Sequence, residues 1–192
     1  MLPLPDGRGS VGKNKMKYPL AYHITFTTYG SWLHGDERVS VDKGHNQYGS
    51  NFVSPNSGLH KKEQTRLKNP PVILGRNFRE VVLKAILQVC GHRGWVAHTV
   101  HVRSNHIHII VSGKETPEKM MADFKAYATR AIRKSGNNHS EFRKYWSRHG
   151  STKYLWTKEN LVSTVEYVKN RQGKTMSLWV RDLSRALSVS AG

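Results

Sequence analysis

The chain has 192 residues, 37% of them hydrophobic and five of them Trp, which suffices for one folded domain and excludes a disordered composition. Lys and Arg number 31 against 13 acids, and the resulting charge of +18 is the electrostatic footprint of a nucleic-acid binder. The single cysteine, Cys90, excludes an internal disulfide and a cysteine-built zinc ribbon, and no apolar run reaches the roughly 18 residues of a membrane span.

A reduced, cytoplasmic, nucleoid-associated setting away from membranes is therefore expected, with Cys90 packed as a small buried residue. Residues 1–16 carry Gly, Pro and charge without an apolar stretch. They read as a flexible tail rather than a signal peptide, and Met16 is a second candidate for the start. The folded domain is expected over 17–175, with 176–192 as a C-terminal extension.

Tyr18–Thr28 is rich in β-formers and predicts a first strand. Residues 30–71 are polar and without period, a long insertion that is functional, disordered, or host to a short helix near Lys61–Lys68. Phe78–Val89 has helical period, with Val81, Ala85, Ile86 and Val89 as its stripe and Gly91 and Gly94 as its end. Trp95–Val102 predicts a second strand. The polar turn Arg103-Ser104-Asn105 joins it in a hairpin to the next one.

That next strand, Asn105-His106-Ile107-His108-Ile109-Ile110-Val111, carries the most information. Successive strand side chains point to opposite faces, so His106 and His108 share one face while Ile107, Ile109 and Val111 share the core face. Two imidazoles so mounted can hold one divalent metal. In a chain this basic, the metal is expected to act on a phosphodiester.

Thr116-Pro117-Glu118 starts a helix running to Arg133: an N-cap Thr, Pro at the first helical position, an acid in the first turn. Met120, Met121, Phe124, Ala128 and Ala131 fall on one side. Arg130, Arg133 and Lys134 on this helix are candidates for backbone contacts to DNA. Phe142–Trp156 interleaves aromatics with bases, making Trp146 and Trp156, with Tyr145, candidate platforms for unpaired bases. A strand is expected near Lys153–Trp156. Thr157 then caps a helix from Lys158 to Gln172, stopped by Gly173. Its stripe is Leu161, Val162, Val165 and Val168, and Tyr167 lies about 100° or more from that stripe.

Strand, helix, strand, strand, helix, strand and helix in that order predict an α+β fold, a ferredoxin-like (split β-α-β) antiparallel sheet packed with helices. Its first and third strands would be central neighbours.

Three segments together resemble one family. They are Tyr22-His23-Ile24-Thr25-Phe26, the stretch from His101 through Val111 with its His-Ile-His, and Glu166-Tyr167-Val168-Lys169-Asn170-Arg171-Gln172. The chain is similar, over roughly 17–175, to the single-tyrosine HUH transposases, including the REP-associated tyrosine transposases. The resemblance implies cleavage of single-stranded DNA through a covalent phosphotyrosine. It implies His106 and His108 as metal ligands and Tyr167 as nucleophile. It also implies a third ligand, an Asn or Gln commonly four residues past the tyrosine. Here that position is Arg171, flanked by Asn170 and Gln172. Gln172 is selected because the last turn before Gly173 can distort, although Asn170 would face better on a straight helix. Mg2+ or Mn2+ is the expected cofactor, single-stranded or hairpin DNA the expected partner, and a homodimer one open assembly. The alternatives are a catalytically silent or domesticated DNA-hairpin-binding protein and a zinc hydrolase using His98, His101, His106 and His108.

Overall fold

The computed structural model describes residues 18–33, 56–136 and 144–182. The expectations for the tail 1–16, for much of the insertion 30–71, for Phe142 and for the end of the C-terminal extension lie outside the described residues.

Strand β1, Ala21–Thr28, alternates Tyr22, Ile24 and Phe26 to one side with His23, Thr25 and Thr27 to the other. Helix α1, Ser57–Thr65, is capped by the Asn56 side chain, which accepts from the Leu59 N–H, and buries no residue. Helix α2, Arg76–Arg93, runs past Gly91 and stops at Gly94, whose φ of +67° suits the left-handed cap. Gly91 therefore does not end the helix: glycine lowers helix propensity but leaves the backbone hydrogen-bond ladder intact.

Strands β2, Val96–Val102, and β3, His106–Ser112, form the predicted hairpin. Helix α3, Pro117–Lys134, starts at the Thr116 cap, whose side chain accepts from the Lys119 N–H. Strand β4 is Trp146–Leu155, helix α4 Lys158–Asn170 and strand β5 Ser177–Val180.

The sheet order is β4-β1-β3-β2-β5, and every neighbouring pair is antiparallel. The first four strands form the ferredoxin-like arrangement, with β1 and β3 at the centre. Helices α2 and α3 cover one face. There Ile86, Val89, Met120, Phe124 and Ile132 meet Ile24, Phe26, Val100, Val102, Ile107 and Ile109 in the main core. Each large side chain buried this way contributes about 1.5–3 kcal/mol. Cys90 is a free, buried thiol in this core. Helix α4 covers the other face through a smaller cluster of Ala21, Ile110, Leu155, Val165 and Val168.

Two elements differ from expectation. β4 begins seven residues before Lys153, because its polar stretch reads as loop but lies on a sheet edge. Edge side chains can stay in water while the backbone pairs with β1. A Cβ at Gly150 would sit 2.5 Å from the Thr25 carbonyl oxygen, so the strand approaches β1 closely there. β5 lies in what reads as an extension and pairs with β2. Among the described residues no helix is long and apolar enough to cross a membrane.

Candidate active site

The register places Thr25 opposite His108, Thr27 opposite His106 and His23 opposite Ile110, all on the α4 face. The His106 ring nitrogen Nδ1 donates to Asn105 Oδ1 at 2.8 Å, which directs Nε2 away from that anchor. The Trp32 ring stacks on His106 at 5.5 Å and 19°. Trp32 takes this position with φ of +54°, a left-handed backbone that bulky residues rarely adopt.

His108 is buried, with Nδ1 3.0 Å from Thr25 Oγ1 and 3.1 Å from His23 Nε2. Its Nε2 is buried without a hydrogen-bond partner. Burial, then repulsion from His106 and His23, pushes its pKa down to about 3. Burial, then Lys153, pushes His23 down to about 4. Both rings are neutral at ordinary pH, the form that ligates metals.

Helix α4 is capped by Thr157, which accepts from the Asn160 N–H. It buries Thr164, Val165 and Val168, with Leu161 packed alongside; Val162, expected on this stripe, is exposed. Burial follows the i, i+3, i+4, i+7 set starting at 161. Tyr167 stands off that set, 44% exposed, with its ring 6.4 Å from those of both His108 and His23. With His23, Lys153, Ser163 and Thr164 it lines a cleft of about 280 Å³.

The end of α4 separates the two amide candidates. The helix stops at Asn170, and Arg171 leaves helical geometry with φ −112° and ψ 22°. Asn170 points outward and donates to Glu166 at 2.6 Å. Gln172, past the break, turns inward. Its side chain acts on His108, opposing the fall in that pKa, yet its buried amide nitrogen completes no hydrogen bond of normal geometry.

Among the described residues no three His, Cys, Asp or Glu side chains form a group able to hold a metal. The donor set at hand is mixed: two imidazoles from β3 and an amide beyond α4. It fits a divalent cation on two observations. His108 Nε2 and Gln172 Nε2 are both buried without a hydrogen bond of normal geometry, and burial keeps His108 in its neutral, ligating form.

The proposed DNA contacts lie elsewhere. Trp146 is 6% exposed, packs edge-on against Phe26, and donates its indole N–H to Lys125 O and Thr129 Oγ1. A ring so enclosed cannot stack on a base, and Tyr145 is buried as well. Trp146 opens β4 and Tyr145 immediately precedes it, both covering the core. Trp156 is exposed and stacks on Tyr154 at 6.3 Å; Tyr154 pairs with Tyr22, on the α2–α3 side of the sheet. Arg130, Arg133 and Lys134 are exposed on α3, also on the side away from Tyr167, with Arg130 lying over the Tyr127 ring.

The four-histidine alternative does not assemble. His98 bonds Ser112 at 2.7 Å, and His101 uses both ring nitrogens on backbone groups, Val168 O and the Met176 N–H. Sequence reasoning missed His23, Thr25 and Lys153. The alternation in β1 signals that His23 and Thr25 share a face, but which strand faces them follows only from the register.

Among curated proteins none matches the chain. A solved structure titled as a REP-associated tyrosine transposase bound to a REP hairpin is 12% identical with a TM-score of 0.46. The likeness covers 79% of this chain, which spans 65% of that one. A structure from Deinococcus radiodurans, also titled as a transposase, is 12% identical with a TM-score of 0.42, covering 89% of this chain and all of that one. The family described as "Transposase IS200 like" matches residues 65–174, more than half of the chain, a span that contains His106, His108, Tyr167 and Gln172. The chain belongs to the IS200-like transposase family.

Proposed function

We propose that this protein is a metal-dependent single-stranded DNA endonuclease and strand transferase that acts through a 5′-phosphotyrosine intermediate. One observation carries the reading: Tyr167 stands on the same sheet face as the two histidines of β3, its ring 6.4 Å from that of His108, in an open cleft. A core tyrosine would lie on the buried stripe of α4 instead.

In this reading the Tyr167 phenolic oxygen attacks the phosphorus of the scissile phosphodiester in line. The bond to the 3′ oxygen breaks, that oxygen takes up a proton in place of the one the phenol gives up, leaving a free 3′-OH, and the 5′ phosphate stays on the tyrosine. Attack by a 3′-OH reverses the step and rejoins the strand. His106, His108 and Gln172 hold Mg2+ or Mn2+, which when bound polarises a phosphate oxygen and offsets transition-state charge. Lys153, beside Tyr167, adds a cation at the cleft.

The substrate class follows from the chemistry. A charge of +18 attracts any nucleic acid, and a nucleophile on a rigid helix needs an unpaired, deformable strand to reach a phosphorus in line. Single-stranded DNA, or a hairpin with a single-stranded flank, provides it. The test uses labelled single strands from the DNA flanking the coding sequence, with Mn2+, denaturing electrophoresis and mass spectrometry of the adduct. Wild type is expected to form a DNA–tyrosine adduct. Tyr167→Phe is expected to lose cleavage by at least ~10³-fold while keeping DNA affinity within about twofold. An adduct on another residue in the Phe variant overturns the assignment.

A further inference from the structure

We propose that Thr25 and His23 are positioning residues that fix which nitrogen of His108 carries its proton and so present the Nε2 lone pair to the divalent cation; this rests on the metal-dependent reading above. A neutral imidazole has one N–H and one lone pair, and the partner of one nitrogen decides the role of the other. His108 Nδ1 has two partners, Thr25 Oγ1 at 3.0 Å and His23 Nε2 at 3.1 Å, and Thr25 Oγ1 lies 3.3 Å from His23 Nε2. The three polar atoms form a closed triangle.

The triangle can be wired in two directions. In the first, His108 Nδ1–H donates to Thr25 Oγ1, and the Thr25 hydroxyl donates to His23 Nε2. His23 Nε2 is then purely an acceptor, and His108 Nε2 carries a lone pair. In the second, His23 Nε2–H donates to Thr25, whose hydroxyl donates to His108 Nδ1. The His108 proton then moves to Nε2, a buried position where the neighbouring Gln172 side chain completes no hydrogen bond of normal geometry. A buried N–H whose hydrogen bond is not properly made costs up to about 1–3 kcal/mol. The same atom as a lone pair is what a cation takes up. The first direction therefore serves the metal and avoids the stranded donor.

The register makes the arrangement rigid. Thr25 is the direct cross-strand partner of His108 on the two central strands, and His23 is the next residue on the same face of β1. Partners that orient a metal-bound imidazole typically change metal affinity 10–100-fold when removed.

The experiment has two arms. Nitrogen-15 NMR of the metal-free protein reads the ring proton directly: wild-type His108 is expected to show a protonated Nδ1 and an unprotonated Nε2. Calorimetric titration with Mn2+ alone then compares wild type, Thr25→Val, Thr25→Ser, His106→Ala and His108→Ala, with thermal melting of each metal-free protein as the folding control. Thr25→Val keeps the shape and removes the hydroxyl, and it is expected to mix the His108 tautomers and weaken Mn2+ binding ~10–100-fold. Thr25→Ser is expected to restore both readouts. A wild-type His108 protonated on Nε2 overturns the proposal. So does Mn2+ affinity within twofold of wild type in Thr25→Val while His108→Ala abolishes binding, and that result leaves the metal reading standing. Unchanged Mn2+ binding in His106→Ala and His108→Ala overturns the metal reading and this proposal with it.

Discussion

On the α2–α3 side, the two central strands present Tyr22, Ile24, Phe26, Ile107, Ile109 and Val111. On the α4 side the same two strands present His23, Thr25, Thr27, His106, His108 and Ile110. The first face is closed by two eighteen-residue helices and is apolar throughout. The second is closed by one thirteen-residue helix over a five-residue cluster, and it buries polar groups beside it. A β-strand offers each face every second residue, so one sequence can dedicate one set to stability and the other to chemistry. The apolar side offsets the cost of keeping unpartnered polar atoms on the opposite side.

Substitutions on the two faces should separate cleanly. His106→Ala and His108→Ala are expected to remove metal-dependent cleavage while the metal-free melting temperature stays close to wild type. Gln172→Ala is expected to raise the Mn2+ concentration needed for half-maximal cleavage ~10-fold. Metal titrations of the nicking rate check all three, and an unchanged titration in Gln172→Ala would remove that residue from the ligand set. Phe124→Ala, on the closed face, is expected to cost about 3–5 kcal/mol of stability through the cavity it leaves, measured by denaturant unfolding. Its cleavage rate per folded molecule should change little. Comparable loss of stability from His108→Ala would erase the distinction between the faces.

The pH dependence of folding sharpens the same contrast. His23 and His98 are pushed down to about 4 and His108 to about 3, in each case chiefly by burial. Between the ordinary histidine value of 6.5 and these folded values the unfolded chain binds more protons than the folded one. Stability is therefore fully present above about pH 6.5 and is lost as pH falls toward 4 and then 3. Each such mismatch is worth about 1.4 kcal/mol per pH unit, so the loss by pH 4 is on the order of several kcal/mol. Thermal melts from pH 7.5 to 4 with a chelator present should show the decline. His23→Gln, which cannot protonate, should flatten it. The smallest effect is expected from neutralising Arg130, Arg133 and Lys134 together. They lie on α3, away from Tyr167, so the slope of log affinity against log salt for single-stranded DNA should shift by less than the ~0.7 of one phosphate contact. A shift near ~2 would mean that DNA wraps to the closed face.

Much of this was legible in the sequence, for reasons that differ by element. The β-α-β-β-α-β order and the face shared by His106 and His108 follow from period alone, because alternation is local. Tyr167 announces itself by standing off a helical stripe. The extent of β4 and the existence of β5 were hidden, since edge strands are held by backbone pairing and their side chains carry little signal. Trp146 misled because an aromatic among bases reads alike whether it faces water or core; only the neighbouring Phe26 and Thr129 decide. The contact of Thr25 and His23 with His108 spans more than eighty residues, and no local pattern encodes a register. The resemblance supplies the expectation of an amide near the tyrosine and Gly173 the preference for Gln172 over Asn170; the break in α4 at Arg171 is what turns the Gln172 side chain inward.

His101 sits at a junction of three elements. From β2 its Nδ1–H donates to the carbonyl of Val168 on α4, and its Nε2 accepts the N–H of Met176, just ahead of β5. That carbonyl belongs to the residue next to Tyr167. The ring thus acts as the datum from which the position of Tyr167 is measured: the sheet holds α4 at a fixed offset through one neutral imidazole. A shorter side chain at 101 would lose both bonds and release α4, with Tyr167 on it, from that offset.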